Sequence, residues 1–199
     1  MTPEALREAL ARPWRHGDCA ELRGARIEGA LDLSGLALTG FDISGAVFAG
    51  PVKARGARFD GVSVFAGARF AAGADFSGAA FMVDARFEDA EFAAGADFSG
   101  AEFRGIGRFD RARFGGASSF AGSVAYGNVS FEAAVFAGAA DFSGAEWLGG
   151  LWLQDAALAA EANFAGAEVH GRLWLRGARR GNARIAPGAF GLVFGHVWR

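Results

Sequence analysis

Large apolar residues recur along the chain in steps of five and six, and a small residue sits two positions before most of them. Phe59, Phe65, Phe70, Phe76, Phe81, Phe87 and Phe92 belong to a run that reaches Phe142 and Phe164. Trp147, Leu153, Leu158, Val169 and Leu175 continue its register. The small partners are mostly alanines, among them Ala57, Ala68, Ala74, Ala79 and Ala85, and glycine commonly follows two positions after the large residue. Neither a helical period of 3.6 residues nor a long strand alternation produces such steps. Short straight segments separated by corners do.

A longer period fixes the geometry. Gly73 to Gly78 reads GADFSG, Gly95 to Gly100 repeats it, and Ala140 to Gly144 and Ala162 to Gly166 keep the same 22-residue register. Four sides of alternately five and six residues add up to that period. The spacing predicts a four-sided coil in which each residue stacks on its equivalent one coil away, separated by the ~4.8 Å of neighbouring strands. One column is then Phe76, Phe98, Phe120, Phe142 and Phe164, and the next is Phe81, Phe103, Ala125, Trp147 and Val169. The third runs Phe87, Phe109, Phe131, Leu153 and Leu175, and the fourth Phe92, Phe114, Phe136 and Leu158. Only Phe41, Phe190 and Phe194 fall outside the large-residue register. At roughly 1.5 to 3 kcal/mol per buried large side chain, the columns suffice to drive folding against the ordering entropy.

Ala74-Asp75-Phe76-Ser77-Gly78, Ala96-Asp97-Phe98-Ser99-Gly100, Ala140-Asp141-Phe142-Ser143-Gly144 and Ala162-Asn163-Phe164-Ala165-Gly166 carry a recognisable motif of Ala, Asp or Asn, a large apolar residue and two variable positions. The chain resembles the pentapeptide repeat family from about Ala25 to Ala178. That resemblance implies an all-β fold, a right-handed quadrilateral β-helix, in agreement with the four-sided coil. The extra residue in alternate sides departs from strict five-residue spacing and predicts bulged corners.

Internal repeats of this kind expose core and strand edges at both ends, so caps are expected. Thr2 as N-cap, Pro3 at the first helical position, and Leu6, Ala9 and Leu10 predict a short amphipathic helix ending by Pro13. The expected organisation is an N-terminal helical cap over 1-22, the β-helix over 23-180, and a tail over 181-199. Phe190, Val193, Phe194, Val197 and Trp198 make that tail either a C-terminal cap or a homodimer contact. Irregular stretches are Leu31 to Phe41, Gly50 to Gly56 and Ser123 to Asn128.

The repeat changes how the composition is read. With 31 Gly in 199 residues, an aperiodic chain would be low-complexity; here the glycines mark corners. A net charge of -2 gives no global attraction to nucleic acid or anionic membrane, so no direct nucleic-acid binding is expected and electrostatic partners must be sought locally. The single Cys19 forms no internal disulfide, and no stretch approaches a membrane span, which points to a cytoplasmic protein without membrane contact. His16, His170 and His196 lie in no metal-ligand or nucleophile spacing, and a filled coil offers no cleft for a general acid. No cofactor, metal or catalytic residue is expected.

The informative residues lie outward. Asp75, Asp97, Asp141 and Asn163 precede the large residue on one side, and Glu102, Glu146 and Glu168 on the next, giving an acidic stripe over two sides. Asp and Asn at such corners also hydrogen-bond nearby backbone. Between Arg113 and Arg172 there is no Arg or Lys. Leu151-Trp152-Leu153 and Leu173-Trp174-Leu175 place Trp152 and Trp174 outward and stacked, as a contact surface unless the tail covers them. The expected function is a non-enzymatic scaffold for a protein partner. The family resemblance implies an alternative, a DNA mimic that protects or inhibits a type II topoisomerase, DNA gyrase or topoisomerase IV. The low net charge and the cluster Arg172, Arg176, Arg179, Arg180 and Arg184 count against mimicry.

Overall fold

Two-residue strands fit the sequence because only an inward small residue, an outward residue and an inward large residue separate successive corners. The computed structural model describes residues 1–199, and from Ala20 onward these strands wind into four parallel sheets. We name the sides A, B, C and D in chain order, beginning with Ala20–Glu21, Arg26–Ile27, Leu31–Asp32 and Ala37–Leu38. Residues 22 apart pair directly through most of the chain: Ala74 with Ala96, Phe81 with Phe103, Phe92 with Phe114 and Trp152 with Trp174. Right-handed winding follows the crossover preference of parallel strands.

Inside, each column is a stack of nearly parallel rings. Phe76 to Phe98 and Phe98 to Phe120 are both 4.9 Å between centroids, at 5° and 9°. Neighbouring columns meet edge to face, as Phe76 meets Phe87 at 5.6 Å and 77°. Such offset and T-shaped contacts are the arrangements aromatic quadrupoles favour.

The alternation of five and six residues resolves into two kinds of corner. Five-residue steps join A to B and C to D through tight four-residue turns, closed by bonds such as Ala79 N–H to Phe76 C=O at 3.0 Å. The third turn residue has a positive φ, 63° at Gly78 and 62° at Gly100, as a type II turn requires. Six-residue steps make wider corners from B to C and from D to A. The bulge therefore sits only at alternate corners.

The irregular stretches stay in the fold. The first coil is one residue short, pairing Ala20 with Phe41, and Phe41 fills a small-residue position in the core. Val52–Lys53 pairs with Leu31–Asp32 and Ala74–Asp75, so Pro51 and Lys53 do not break the register. Val52 and Ala54 merely exchange the usual sizes, both pointing inward.

Both ends are covered. Helix α1 (Pro3–Leu10) starts where the Thr2 side chain accepts the Ala5 N–H at 3.2 Å, and it buries Leu6 and Leu10 against the first coil. At the other end side B stops at Arg179–Arg180, which turns back as an antiparallel hairpin with Ala183–Arg184. Phe190 then folds over the last coil, 4.8 Å from the Phe164 ring, and Leu192–Val193 and Val197–Trp198 add final strands to sides D and A.

Candidate interaction surfaces

Outward residues are presented by the same register that stacks the core. Asp75, Asp97 and Asp141 align on side C, and Glu102, Glu146 and Glu168 align on side D. On side C these carboxylates hold the corners. Asp75, Asp97 and Asp141 accept the backbone N–H of Ser77, Ser99 and Ser143 at 2.8 to 3.0 Å, and the Asn163 side chain accepts that of Ala165. Burial alone would push the Asp75 carboxyl up, but bonds from Ser77 and then Arg55 outweigh it and leave its pKa lowered.

Ion pairs thin the stripe unevenly. Arg55 pairs with Asp75 at 3.2 Å and Arg104 with Glu102 at 3.2 Å, while the His170 ring shares a hydrogen bond with Glu168 at 3.1 Å. Asp97, Asp141 and Glu146 have no cationic partner. Nor does Glu161, which sequence reasoning passed over because it lies in a corner rather than a strand.

A shallow groove of about 770 Å³ follows the wide B-to-C corner and borders Asp97, Asp141 and Glu161. Its floor consists of small residues, Gly73, Ala94, Gly95, Ala117 and Ala139 among them. The expectation that a filled coil has no cleft misses this feature, because it considers the core and not the width of the corners.

On side A, Trp152 and Trp174 stack outward at 6.4 Å and 14°, as their spacing predicts. Trp198 adds a third rung at 4.8 Å and 11° from Trp174. The tail thus extends the ladder instead of folding across it, and its rungs remain partly exposed. Within the tail, Phe190 is buried and Val193 and Val197 pack against the core, whereas Phe194 is 67% and Trp198 46% exposed.

At the wide D-to-A corner, Gly127, Gly149, Gly171 and Gly195 lie one above another. A Cβ built at Gly171 or Gly195 would overlap the carbonyl of the glycine in the coil below. This bare backbone floors a second groove of about 580 Å³, walled by Asn128, Trp152, His170, Arg172 and His196. Nowhere do three His, Cys, Asp or Glu side chains gather in a way that could hold a metal ion. No helix is long and apolar enough to cross a membrane.

The sequence matches the family model described as pentapeptide repeats (9 copies), over residues 43–91, 87–135 and 131–179. No curated protein sequence matches it. Two structures of trypsin-treated QnrB1, a plasmid-mediated fluoroquinolone resistance protein, align with it at 16% identity. They cover 90% and 91% of this chain and 89% and 84% of theirs, with TM-scores of 0.36 and 0.37. With the repeat model spanning most of the four-sided coil, the chain belongs to the pentapeptide repeat family.

Proposed function

We propose that the protein is a non-enzymatic interaction scaffold whose side C groove receives an extended basic segment of a partner protein. The observation that supports this reading is uncompensated charge beside bare backbone: Asp97, Asp141 and Glu161 border a groove floored by Gly and Ala. Small floor residues let a partner backbone approach closely, and Asp97 and Asp141, two coils and roughly 9.6 Å apart with Ser119 between them, can each meet a basic side chain. Association should be fast and strongly salt-dependent. Titration with a Lys/Arg-rich peptide by calorimetry tests this. Binding to the wild type and its loss in Asp97→Asn/Asp141→Asn/Glu161→Gln support the groove; equal binding by both proteins rejects it.

A second reading, DNA mimicry toward a type II topoisomerase, is favoured by the columns of carboxylates on two adjoining sides, each interrupted once, at Ser119 and at Val124. Pairing of Asp75 and Glu102 with arginines interrupts the stripe and leaves Asp97, Asp141 and Glu146 as its free carboxylates. Supercoiling by DNA gyrase, with and without a quinolone, tests it using Asp97→Asn/Glu102→Gln/Asp141→Asn/Glu146→Gln. Protection or inhibition by the wild type alone supports mimicry, and inactivity of the wild type removes it. Trp174 and the exposed Phe194 and Trp198 form a separate surface, assigned in this reading to a further protein contact or a second copy of the chain.

A further inference from the structure

Charge is segregated along the coil axis. Glu132, Asp141, Glu146, Asp155, Glu161 and Glu168 fall in a stretch without Arg or Lys. Residues 169–199 then carry Arg172, Arg176, Arg179, Arg180, Arg184 and Arg199 and no Asp or Glu. A net charge of -2 conceals this separation.

The basic end is poorly explained by folding. Arg179 lies directly opposite Arg184 in the antiparallel hairpin, and like charges so placed repel. Arg172, Arg176, Arg179 and Arg184 are all exposed, and none makes an ion pair, whereas Arg23, Arg58 and Arg111 elsewhere do. Arg180 occupies the position that Leu158 fills one coil below, exposed, with one guanidinium bond to the Ala162 carbonyl at 3.3 Å.

Aromatic groups interleave with these cations. In the run Arg172-Leu173-Trp174-Leu175-Arg176, strand alternation buries both leucines and turns the arginines and Trp174 outward on one side. The glycine-floored groove adjoins this row and adds Asn128, Trp152, His170 and His196, while Glu168 is engaged by His170. Arg172 lines that groove beside the Trp152 indole, and Arg176, Arg179 and Arg184 continue the cationic surface onto side B. Guanidinium groups combined with indole rings are the elements with which proteins hold phosphates and stack bases of a single strand.

We propose that the C-terminal coil binds single-stranded nucleic acid, its phosphates on Arg172, Arg176, Arg179 and Arg184 and a base beside Trp152 in the glycine-floored groove. This surface lies on sides A and B and does not depend on the acidic groove of side C.

Anisotropy of a short fluorescein-labelled oligothymidylate, titrated with the full chain, tests the proposal. Three or four phosphate contacts give a log–log salt slope of about -2 to -3, which is roughly a twenty- to fifty-fold loss of affinity from about 50 to about 200 mM salt. Arg172→Gln/Arg176→Gln/Arg179→Gln/Arg184→Gln, all exposed sites, should abolish binding while leaving the circular dichroism melt unchanged. Trp152→Ala should weaken binding roughly five-fold or more, and bound oligonucleotide should quench the wild-type tryptophan fluorescence. Absence of binding at low salt, or full binding by the arginine variant, overturns the proposal. So does equal affinity for a duplex of the same length, which would mark a backbone site without base stacking. Equal affinity for polyglutamate would likewise assign the patch to an acidic protein.

Discussion

Trp147 stands directly over Ala125 in the side D column, so the largest side chain of that column follows its smallest. Val129 is buried at a position where the coil below has Gly107, and a Cβ built at that glycine would lie 3.3 Å from both the Val129 side chain and the Phe103 ring. The coil thus exchanges volume between adjacent sides: side D gives up a ring and side A gains a branched residue. Ala125→Phe should overpack the core and cost about 1 to 3 kcal/mol. Pairing it with Val129→Gly should recover part of that loss, and a double-mutant cycle from urea unfolding measures the coupling. Strictly additive effects would show that the two sites do not share volume.

The tight corners yield a substitution that should stabilise. Ala133 occupies the third turn position with a φ of 53°, where the equivalent Gly67, Gly45 and Gly24 sit in other coils. A left-handed residue with a Cβ is strained by roughly 1 to 2 kcal/mol, and glycine's unfolded-state entropy offsets part of the relief. Ala133→Gly should therefore raise stability by about 0.5 to 1 kcal/mol, read from the urea midpoint. Gly171→Ala should act in the opposite direction and more strongly, because its Cβ meets backbone that cannot rotate away.

Most of the fold was legible because each coil repeats one rule: an Ala, an outward residue and a Phe specify a side, and Gly78 or Gly100 closes the tight corner. The columns from Phe76 to Phe164 and from Phe92 to Leu158 are in place. The repeat also predicted the outward stacking of Trp152 and Trp174. What escaped lies where sequence periodicity carries no information. The grooves arise from wide corners whose residues are small, as at Gly95 and Gly171, and a missing side chain leaves no apolar signal. Pairing also escaped, because Arg55 and Asp75 are 20 residues apart and meet only through the lateral offset of neighbouring coils.

Within the tail, burial separates structural residues from available ones. Phe190 covers the end of the core, 4.8 Å from Phe164 and 6.4 Å from Trp147, whereas Phe194 rests on His170 with 67% of its surface exposed. Phe190→Ala should destabilise by about 3 to 5 kcal/mol through transfer and cavity terms, less to the extent that the terminal strands collapse inward. Phe194→Ala should leave the urea midpoint within about 0.5 kcal/mol of wild type. Should the second-copy reading hold, Phe194→Ala would instead lower the sedimentation mass to that of a monomer. An unchanged mass in both proteins would leave Phe194 outside any self-contact.

Acid should unfold the coil through its corner carboxylates. The Asp89 pKa is lowered from 3.8 because Arg111 donates two hydrogen bonds to it, at 2.8 and 2.7 Å, one coil away. In Asp42 and Asp75 burial acts upward, but bonds from Ser44 and Ser77, then Arg23 and Arg55, prevail and the pKa values are likewise lowered from 3.8. A carboxyl that binds its proton more weakly when folded contributes stability fully above the unfolded value. That contribution disappears as pH falls below 3.8 through the lowered folded value. Asp75→Asn keeps an acceptor for the Ser77 N–H but cannot ionise, so it isolates the charge. Wild type should exceed this variant in urea midpoint at about pH 6, with the gap narrowing below about pH 4 as the carboxylate is protonated. A gap that stays constant across that range would mean that Asp75 acts through geometry alone, and that the acid sensitivity resides in other carboxylates such as Asp42 and Asp89.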